Sequence, residues 1–186
     1  DLYDYTMLDS NRLLIVLGDV SDKGVAAALF MVRALTLIRS LALIAKSPGD
    51  LLTRVNLALC QDNDEMMFVT VACCIIEMDS MRWSYASGGH EPPLLLQKGE
   101  PTLLDLESGP ALGLFTDCSY PEHYGVLPPD STLLLYTDGV TEAECAGRTQ
   151  FGTERLVQAG RLLANMDPTE MLEGISKSVN EFVGSA

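Results

Sequence analysis

Positive charge is scarce in this chain. Only 12 Lys and Arg stand against 26 Asp and Glu, leaving a formal charge of −14 over 186 residues and an isoelectric point of about 4.3. So few cations cannot neutralise a phosphate backbone, which excludes nucleic acid as an expected partner, and anionic lipid is disfavoured for the same reason. Cysteine is sparse and wrongly spaced for a staple. Cys60, Cys73, Cys74, Cys118 and Cys145 are an odd number with no Cys-x-x-Cys pair and no histidine at zinc-ligand spacing. A disulfide scaffold and a zinc ribbon are both excluded, and the expected location is a reducing cytoplasm. Adjacent Cys73 and Cys74 should point to opposite faces of a strand as small buried thiols. No Gly-x-Ser-x-Gly elbow is present and no convincing Cys and His pair, so no covalent nucleophile announces itself. The opening residues do not read as a signal peptide, so none is expected. The one long apolar stretch, Ala26 to Ala45, is broken by Arg33 and Arg39, each costing roughly 3 kcal/mol near a bilayer centre. It reads as a buried helix of a soluble protein, with no membrane expected. What is abundant is apolar residue: 47% of the chain is hydrophobic and the mean hydropathy is +0.17, which suits strands buried on both faces.

The periodicity alternates between hairpins and helices. A short strand to Met7, a polar turn at Asp9, Ser10 and Asn11, and the apolar run Leu13 to Leu17 read as a first hairpin. Its second strand ends in Gly18-Asp19-Val20-Ser21-Asp22-Lys23-Gly24, and a long helix follows from about Val25. Ser47-Pro48-Gly49-Asp50 supplies a cap, a first-turn proline and an acid for a second helix to about Cys60. Met67 to Met78 and Arg82 to Tyr85, joined at Asp79-Ser80, form a second hairpin; Leu94 to Gln97 and Thr102 to Leu106 form a third around Lys98-Gly99-Glu100. Strands at Tyr120 to Leu127 and Ser131 to Tyr136 flank Pro128-Pro129-Asp130. Asp138 then closes a strand before a loop from Gly139 to Gly152. Helices at Thr153 to Ala164 and Thr169 to Val183 complete the chain, the latter opened by Asp167-Pro168 with Glu170 in capping-box position. Hairpin-linked strands make antiparallel sheets, and helices grouped early and late cover outer faces, so the expected class is α+β. No repeat or linker divides residues 1–186, and a single domain of two packed sheets is the economical organisation.

Two acids, Asp19 and Asp138, each follow an apolar strand and precede glycine or a glycine-containing turn. Short carboxylates at a sheet edge suit hard cations such as magnesium and manganese. Asp is common wherever strands end, so the pair alone decides little. The surrounding words are more specific. In order along the chain stand Asp1-Leu2-Tyr3-Asp4, Gly18-Asp19-Val20-Ser21-Asp22-Lys23-Gly24, Phe68-Val69-Thr70, Ser87-Gly88-Gly89-His90-Glu91-Pro92-Pro93, Leu112-Gly113, Tyr136-Thr137-Asp138-Gly139-Val140-Thr141-Glu142-Ala143 and Phe151-Gly152. Together they resemble the PPM, or protein phosphatase 2C, superfamily, in the branch of the bacterial sporulation-E and RsbU-type serine/threonine phosphatases. A single Gly-Asp-x-Ser word would be weak; several motifs agreeing in order and spacing are specific.

The resemblance implies a four-layer α-β-β-α sandwich of two mostly antiparallel sheets flanked by helices, with two Mn2+ or Mg2+ ions at one edge. It implies hydrolysis of phosphoserine or phosphothreonine in a protein, of the anti-sigma-factor antagonist type, by metal-activated water, in the output domain of a bacterial signalling protein with a receiver or sensor domain upstream. Carried over by position, Asp19 would bridge both metals and the backbone carbonyl of Val20 would bind one. Asp1 and Asp138 would contribute carboxylates directly or through water, with Asp4 a weaker candidate; Asp19 and Asp138 are the expected catalytic positions. Two departures point toward an alternative, a catalytically impaired phosphatase-like adaptor or binding module in sigma-factor regulation. The family usually has glycine where this chain has Asp22. It also usually ends in a strand introduced by an Asp-Asp pair that supplies a further ligand, whereas Phe182-Val183-Gly184-Ser185-Ala186 stands here, so the domain is expected to lack its first and last strands.

His90, in its Gly and Pro loop, has two readings: proton donor to a leaving serine oxygen, or a brace for the loop, the latter favoured. His123 has less support. Lys23 does not complete a phosphate loop, and Asp62-Asn63-Asp64-Glu65 lacks the glycine and distal glutamate of a calcium loop. The helix after Val25 is apolar around much of its circumference, which fits either deep burial or contact with a regulatory domain or a second copy in a homodimer. A −14 chain should repel an acidic phosphoprotein at long range, so partner binding should depend on salt.

Overall fold

The computed structural model describes residues 1–184; Ser185 and Ala186, at the expected domain boundary, lie outside the described residues. Among the described residues, eight strands and five helices follow in the order β1 (Leu2–Met7), β2 (Arg12–Val20), α1 (Val25–Ala42), α2 (Pro48–Cys60), β3 (Val69–Glu77), β4 (Arg82–Gly88), β5 (Leu94–Gln97), β6 (Glu100–Leu103), β7 (His123–Val126), β8 (Ser131–Leu134), α3 (Asp138–Thr141), α4 (Gly152–Leu163) and α5 (Pro168–Gly184). The fold is α+β with two antiparallel sheets, of order β1-β2-β3-β4-β7 and β6-β5-β8.

Two compact units divide the chain: residues 1–90 with 106–127, and residues 91–105 with 128–186. The first unit holds the five-stranded sheet with α1 and α2. Its turns are made by local side chains. Asp9 Oδ1 accepts from the amides of Asn11 and Arg12, both at 2.9 Å, closing the β1–β2 turn. Ser47 caps α2 by accepting from the Asp50 amide at 3.3 Å with Pro48 in the first turn, as the sequence predicts. Alternation along β2 and β3 turns Leu14, Val16, Val69, Val71 and Cys73 toward Leu51, Leu52, Val55 and Leu59 of α2 and Ala34 and Ile38 of α1.

Helix α1 is less deeply covered than its composition suggests. One stripe, Ala27, Phe30, Ala34, Ile38 and Ala42, is buried, while Val25, Leu29 and Val32 on the opposite side are exposed. Small alanines let the helix lie close to the sheet, and nothing in the unit covers its outer row. The helix is long and apolar enough to cross a membrane by length and composition.

The second unit packs α4 and α5 on the three-stranded sheet through Leu94, Leu96, Leu134, Phe151, Leu156, Met171 and Ile175. The β5–β6 hairpin turns on two residues, Lys98 and Gly99, both at positive φ (51° and 83°). That is a tighter turn than expected, and it moves β6 to begin at Glu100. Strands β7 and β8, which flank Pro128-Pro129, do not pair with each other; β7 joins β4 and β8 joins β5. A prolyl pair lacks amide donors and supplies no ladder bonds of its own, which leaves β7 and β8 free to join different sheets. Asp138 does not close a strand, because β8 stops at Leu134. It opens the single turn α3 instead, with the Glu142 amide bonded back to its carbonyl at 2.7 Å.

Candidate metal centre

The end of β2 is the best-specified point in the first unit. Nine consecutive pairs align β2 with β3, from Arg12 opposite Glu77 to Val20 opposite Val69, and set Asp19 opposite Thr70. Gly18 makes this possible. A Cβ there would lie 2.4 Å from the Thr70 carbonyl oxygen, closer than any side chain can approach. On the other side Leu2 pairs with Gly18, which brings Asp1 beside Asp19, its main-chain nitrogen 3.5 Å from Asp19 Oδ1. Because Leu2, Val16, Val69 and Val71 face the helices, strict alternation turns Asp19 and Thr70 to the opposite face of the sheet, with Asp1 just before the start of β1. Both carboxylates are accessible, with side chains 61% and 33% exposed.

The Val20 carbonyl lies at the same strand end, in the plane of the sheet. The amide and carbonyl of Val69 are both taken by Leu112, at 3.0 and 2.9 Å, so Val20 is not bonded to its β3 partner. By the antiparallel alternation its own carbonyl points toward the β1 side. Beyond it, the Ser21 amide donates to the Phe68 carbonyl at 2.9 Å and Ser21 Oγ accepts from the Phe68 amide at 3.0 Å, which anchors the chain as it leaves the sheet. Asp22 then takes φ 67°. A left-handed residue explains why glycine is usual at this place, and Asp is among the few other residues that tolerate it.

Asp4 is not part of this group. It lies on the helix side of β1, where Arg39 of α1 grips both its oxygens at 2.6 and 2.9 Å. That hydrogen-bonded guanidinium holds the Asp4 carboxyl below the usual carboxylate range. Asp138 belongs to the second unit, exposed at the start of α3. Its neighbours include Glu91, which sequence reasoning did not single out: burial, then the charges of Asp138 and Glu142, push the Glu91 carboxyl up. Only its place beside His90 in the Gly-Gly-His-Glu-Pro-Pro word could have drawn attention to it.

His90 is buried, with Nδ1 2.9 Å from Thr70 Oγ1 and its amide donating to Ser87 Oγ at 3.1 Å. The loop is braced, as the favoured reading of this histidine expects. His123 sits with Nε2 2.9 Å from the Glu107 carbonyl, tying β7 to a neighbouring loop. Cys73 and Cys74 are buried, and burial pushes the Cys74 thiol up to about 12 and the Cys73 thiol higher still.

Among the described residues no three His, Cys, Asp or Glu side chains meet as a ready-made cage. The donors at the strand end of the first unit are instead the Asp19 carboxylate, the neighbouring Asp1 and the Val20 backbone carbonyl. All are oxygen donors of the kind that suits Mg2+ or Mn2+, which keep several waters and need few protein ligands. The residues fit such an ion.

A family model described as Stage II sporulation protein E (SpoIIE) matches residues 9–186. Protein IcfG of a Synechocystis species is 30% identical, the alignment covering 96% of this chain and 32% of that protein. Phosphoserine phosphatase RsbU of Bacillus subtilis is 33% identical over 75% of this chain and 42% of its own length. The chain therefore spans well under half of the curated relatives it matches. Among solved structures, the SiaA-PP2C domain of Pseudomonas aeruginosa superposes with a TM-score of 0.86 at 21% identity, covering 98% of this chain and 73% of that one. Matched by the family model over most of its length, and sharing its fold with a PP2C domain, the chain belongs to the SpoIIE family of PP2C-like phosphatase domains.

Proposed function

We propose that this chain is a metal-dependent protein serine/threonine phosphatase acting on a phosphoserine or phosphothreonine protein of the anti-sigma-factor antagonist type. The observation that carries the reading is the adjacency of Asp1 and Asp19 at the close-packed end of β2. As the family's motifs imply, Asp1, Asp19 and the Val20 carbonyl would hold the metals, and Asp138 would contribute a carboxylate directly or through water. Two Mn2+ or Mg2+ ions, when bound, would lower the pKa of a water and stabilise charge on the transferring phosphoryl group. The protein's own part is to place these oxygens without rearrangement. Gly18 allows the close strand approach, the nine-pair ladder fixes where Asp19 emerges, and the Ser21–Phe68 bonds anchor the exit.

The relatives' greater length supports an output domain within a larger signalling protein, and the five free thiols support a cytoplasmic location. The exposed row on α1 supports contact with a regulatory domain or a second copy. We take residues 1–186 to act as one domain. A second reading, the impaired adaptor, is favoured by one feature: the extra carboxylate of Asp22 stands three residues from Asp19 on a strained turn.

The test is manganese-dependent hydrolysis of p-nitrophenyl phosphate by the wild type, by Asp19→Ala and with EDTA. Activity that needs both metal and Asp19, with a loss of more than about a hundredfold in the variant, is expected. A folded protein that neither binds manganese nor turns over would favour the adaptor, whereas inactivity with manganese bound would leave a phosphatase awaiting its substrate or activator.

A further inference from the structure

The phosphatase reading assigns no part to His90, yet the loop that carries it is tied down by several hydrogen bonds. Ser87 Oγ accepts from the His90 amide at 3.1 Å and donates to its carbonyl at 3.2 Å, and Ser108 Oγ accepts from the Gly89 amide at 2.8 Å. The loop can close in this way only over glycines. A Cβ on Gly88 would meet Leu112 Cδ1 at 2.2 Å, and Gly89 has φ +70°. The outcome is that the imidazole, carried by the loop after β4, is delivered to Thr70 on β3, with Nδ1 2.9 Å from Thr70 Oγ1. Thr70 is the cross-strand partner of Asp19, and its Oγ1 is 3.5 Å from the Asp19 carbonyl oxygen.

A hydroxyl carries one proton and two lone pairs. Thr70 can give that proton to His90 Nδ1 or to the Asp19 carbonyl, but not to both. If Nδ1 carries hydrogen, it donates to Thr70 Oγ1 and leaves the Thr70 proton for Asp19. We propose that His90 is a positioning residue for the metal centre: a chain from His90 Nδ1–H through the Thr70 hydroxyl to the Asp19 carbonyl fixes the end of β2 from which the Asp19 carboxylate and the Val20 carbonyl emerge. The need is physical. Asp19 is the penultimate residue of its strand, a third exposed and three residues before a left-handed residue. A ladder fixes the course of a strand, but its last residues fray unless side chains also tie them down, and a ligand set must be held to within about half an ångström to bind well. Outer partners that orient ligands act in this manner at many metal sites.

The consequence for metal binding rests on the phosphatase reading; the hydrogen-bond chain itself does not. The experiment therefore has two arms on the same folded chain. In the first, long-range 1H–15N correlation of the imidazole is expected to show the Nδ1–H tautomer, and amide exchange at Ser21 is expected to accelerate in Thr70→Val but not in Thr70→Ser. In the second, Mn2+ titration followed by electron paramagnetic resonance is expected to show about tenfold weaker binding for Thr70→Val and His90→Ala. Thr70→Ser and His90→Asn, which keep a hydroxyl and a donor at the same places, should stay within about twofold of wild type. Circular dichroism verifies folding of each variant. An Nε2–H tautomer, with Nδ1 accepting, overturns the proposal, as does wild-type manganese affinity in Thr70→Val. If the wild type binds no manganese while the first arm gives the expected result, the phosphatase reading fails and the positioning of Asp19 by His90 stands.

Discussion

The two units solve the problem of presenting an acid in different ways. In the first, Asp19 is carried by a strand of nine residues locked to its neighbour through nine pairs, so its position follows from a long ladder. In the second, every strand has four residues, and Asp138 stands on a single helical turn that follows β8 after a three-residue gap. There the local backbone is set by a few bonds, Glu142 to Asp138 and Val140 to Thr137, and by burial of Tyr136 and Phe151. A long ladder makes an acid stiff; a short turn makes it adjustable. The contrast teaches that two acids of one chain can be presented on supports of different stiffness.

The largest effect should separate the units. Leu52 and Leu156 are both fully buried, one in each core, and truncation of either to alanine should cost about 2–5 kcal/mol in urea unfolding. Hydrogen exchange should accelerate in β2 and β3 for Leu52→Ala and in α4 and α5 for Leu156→Ala. One common pattern for both would erase the distinction. Next in size, Gly18→Ala should destabilise the first unit by roughly 1–3 kcal/mol by forcing a methyl group against the Thr70 carbonyl, with near-ultraviolet circular dichroism and melting as the measures. Ser47→Ala removes the α2 cap and should cost about 1 kcal/mol. Asp22→Gly relieves a left-handed residue and should stabilise by at most about 1 kcal/mol.

The smallest effect is electrostatic. Asp4, held by Arg39, has a carboxyl below its unfolded value, so the stabilisation it gives is present above the unfolded pKa of about 3.9 and is lost as pH falls through the lower folded value. Asp4→Asn should flatten the stability profile below about pH 4 and leave it unchanged in shape near neutrality. A variant profile that still falls with the wild-type slope would place the acid sensitivity elsewhere.

Much of the first unit could be read from residue order. The apolar run from Met67 to Met78, the β1–β2 hairpin, the cap at Ser47 and the exposed acid after Gly18 are local patterns, and the structure keeps them. What was not legible is non-local. That β7 and β8 join different sheets depends on which partner each edge finds, a choice that Pro128-Pro129 permits without specifying. The one-turn α3 was read as a strand end, since Leu133 to Tyr136 is apolar and too short to carry a period. Asp4 and Asp1 sit in one tetrapeptide yet serve opposite faces of the sheet, a distinction that only the register of β1 makes. The link from His90 to Thr70 spans twenty residues, and no spacing rule encodes it. The outward row on α1 was hidden by a composition that is apolar on nearly every side.

The adjacent thiols of β3 have a practical consequence. Cys73 and Cys74 are fully buried and resist ionisation, whereas Cys60, Cys118 and Cys145 are partly accessible and Cys145, bonded to backbone amides in its turn, ionises more readily. A thiol-reactive dye should therefore label three positions in the native protein and reach the last two only when the central strand comes apart. The chain thus contains its own clock for unfolding, wound at the strand that pairs with Asp19, and it can be read by mass spectrometry without altering a single residue.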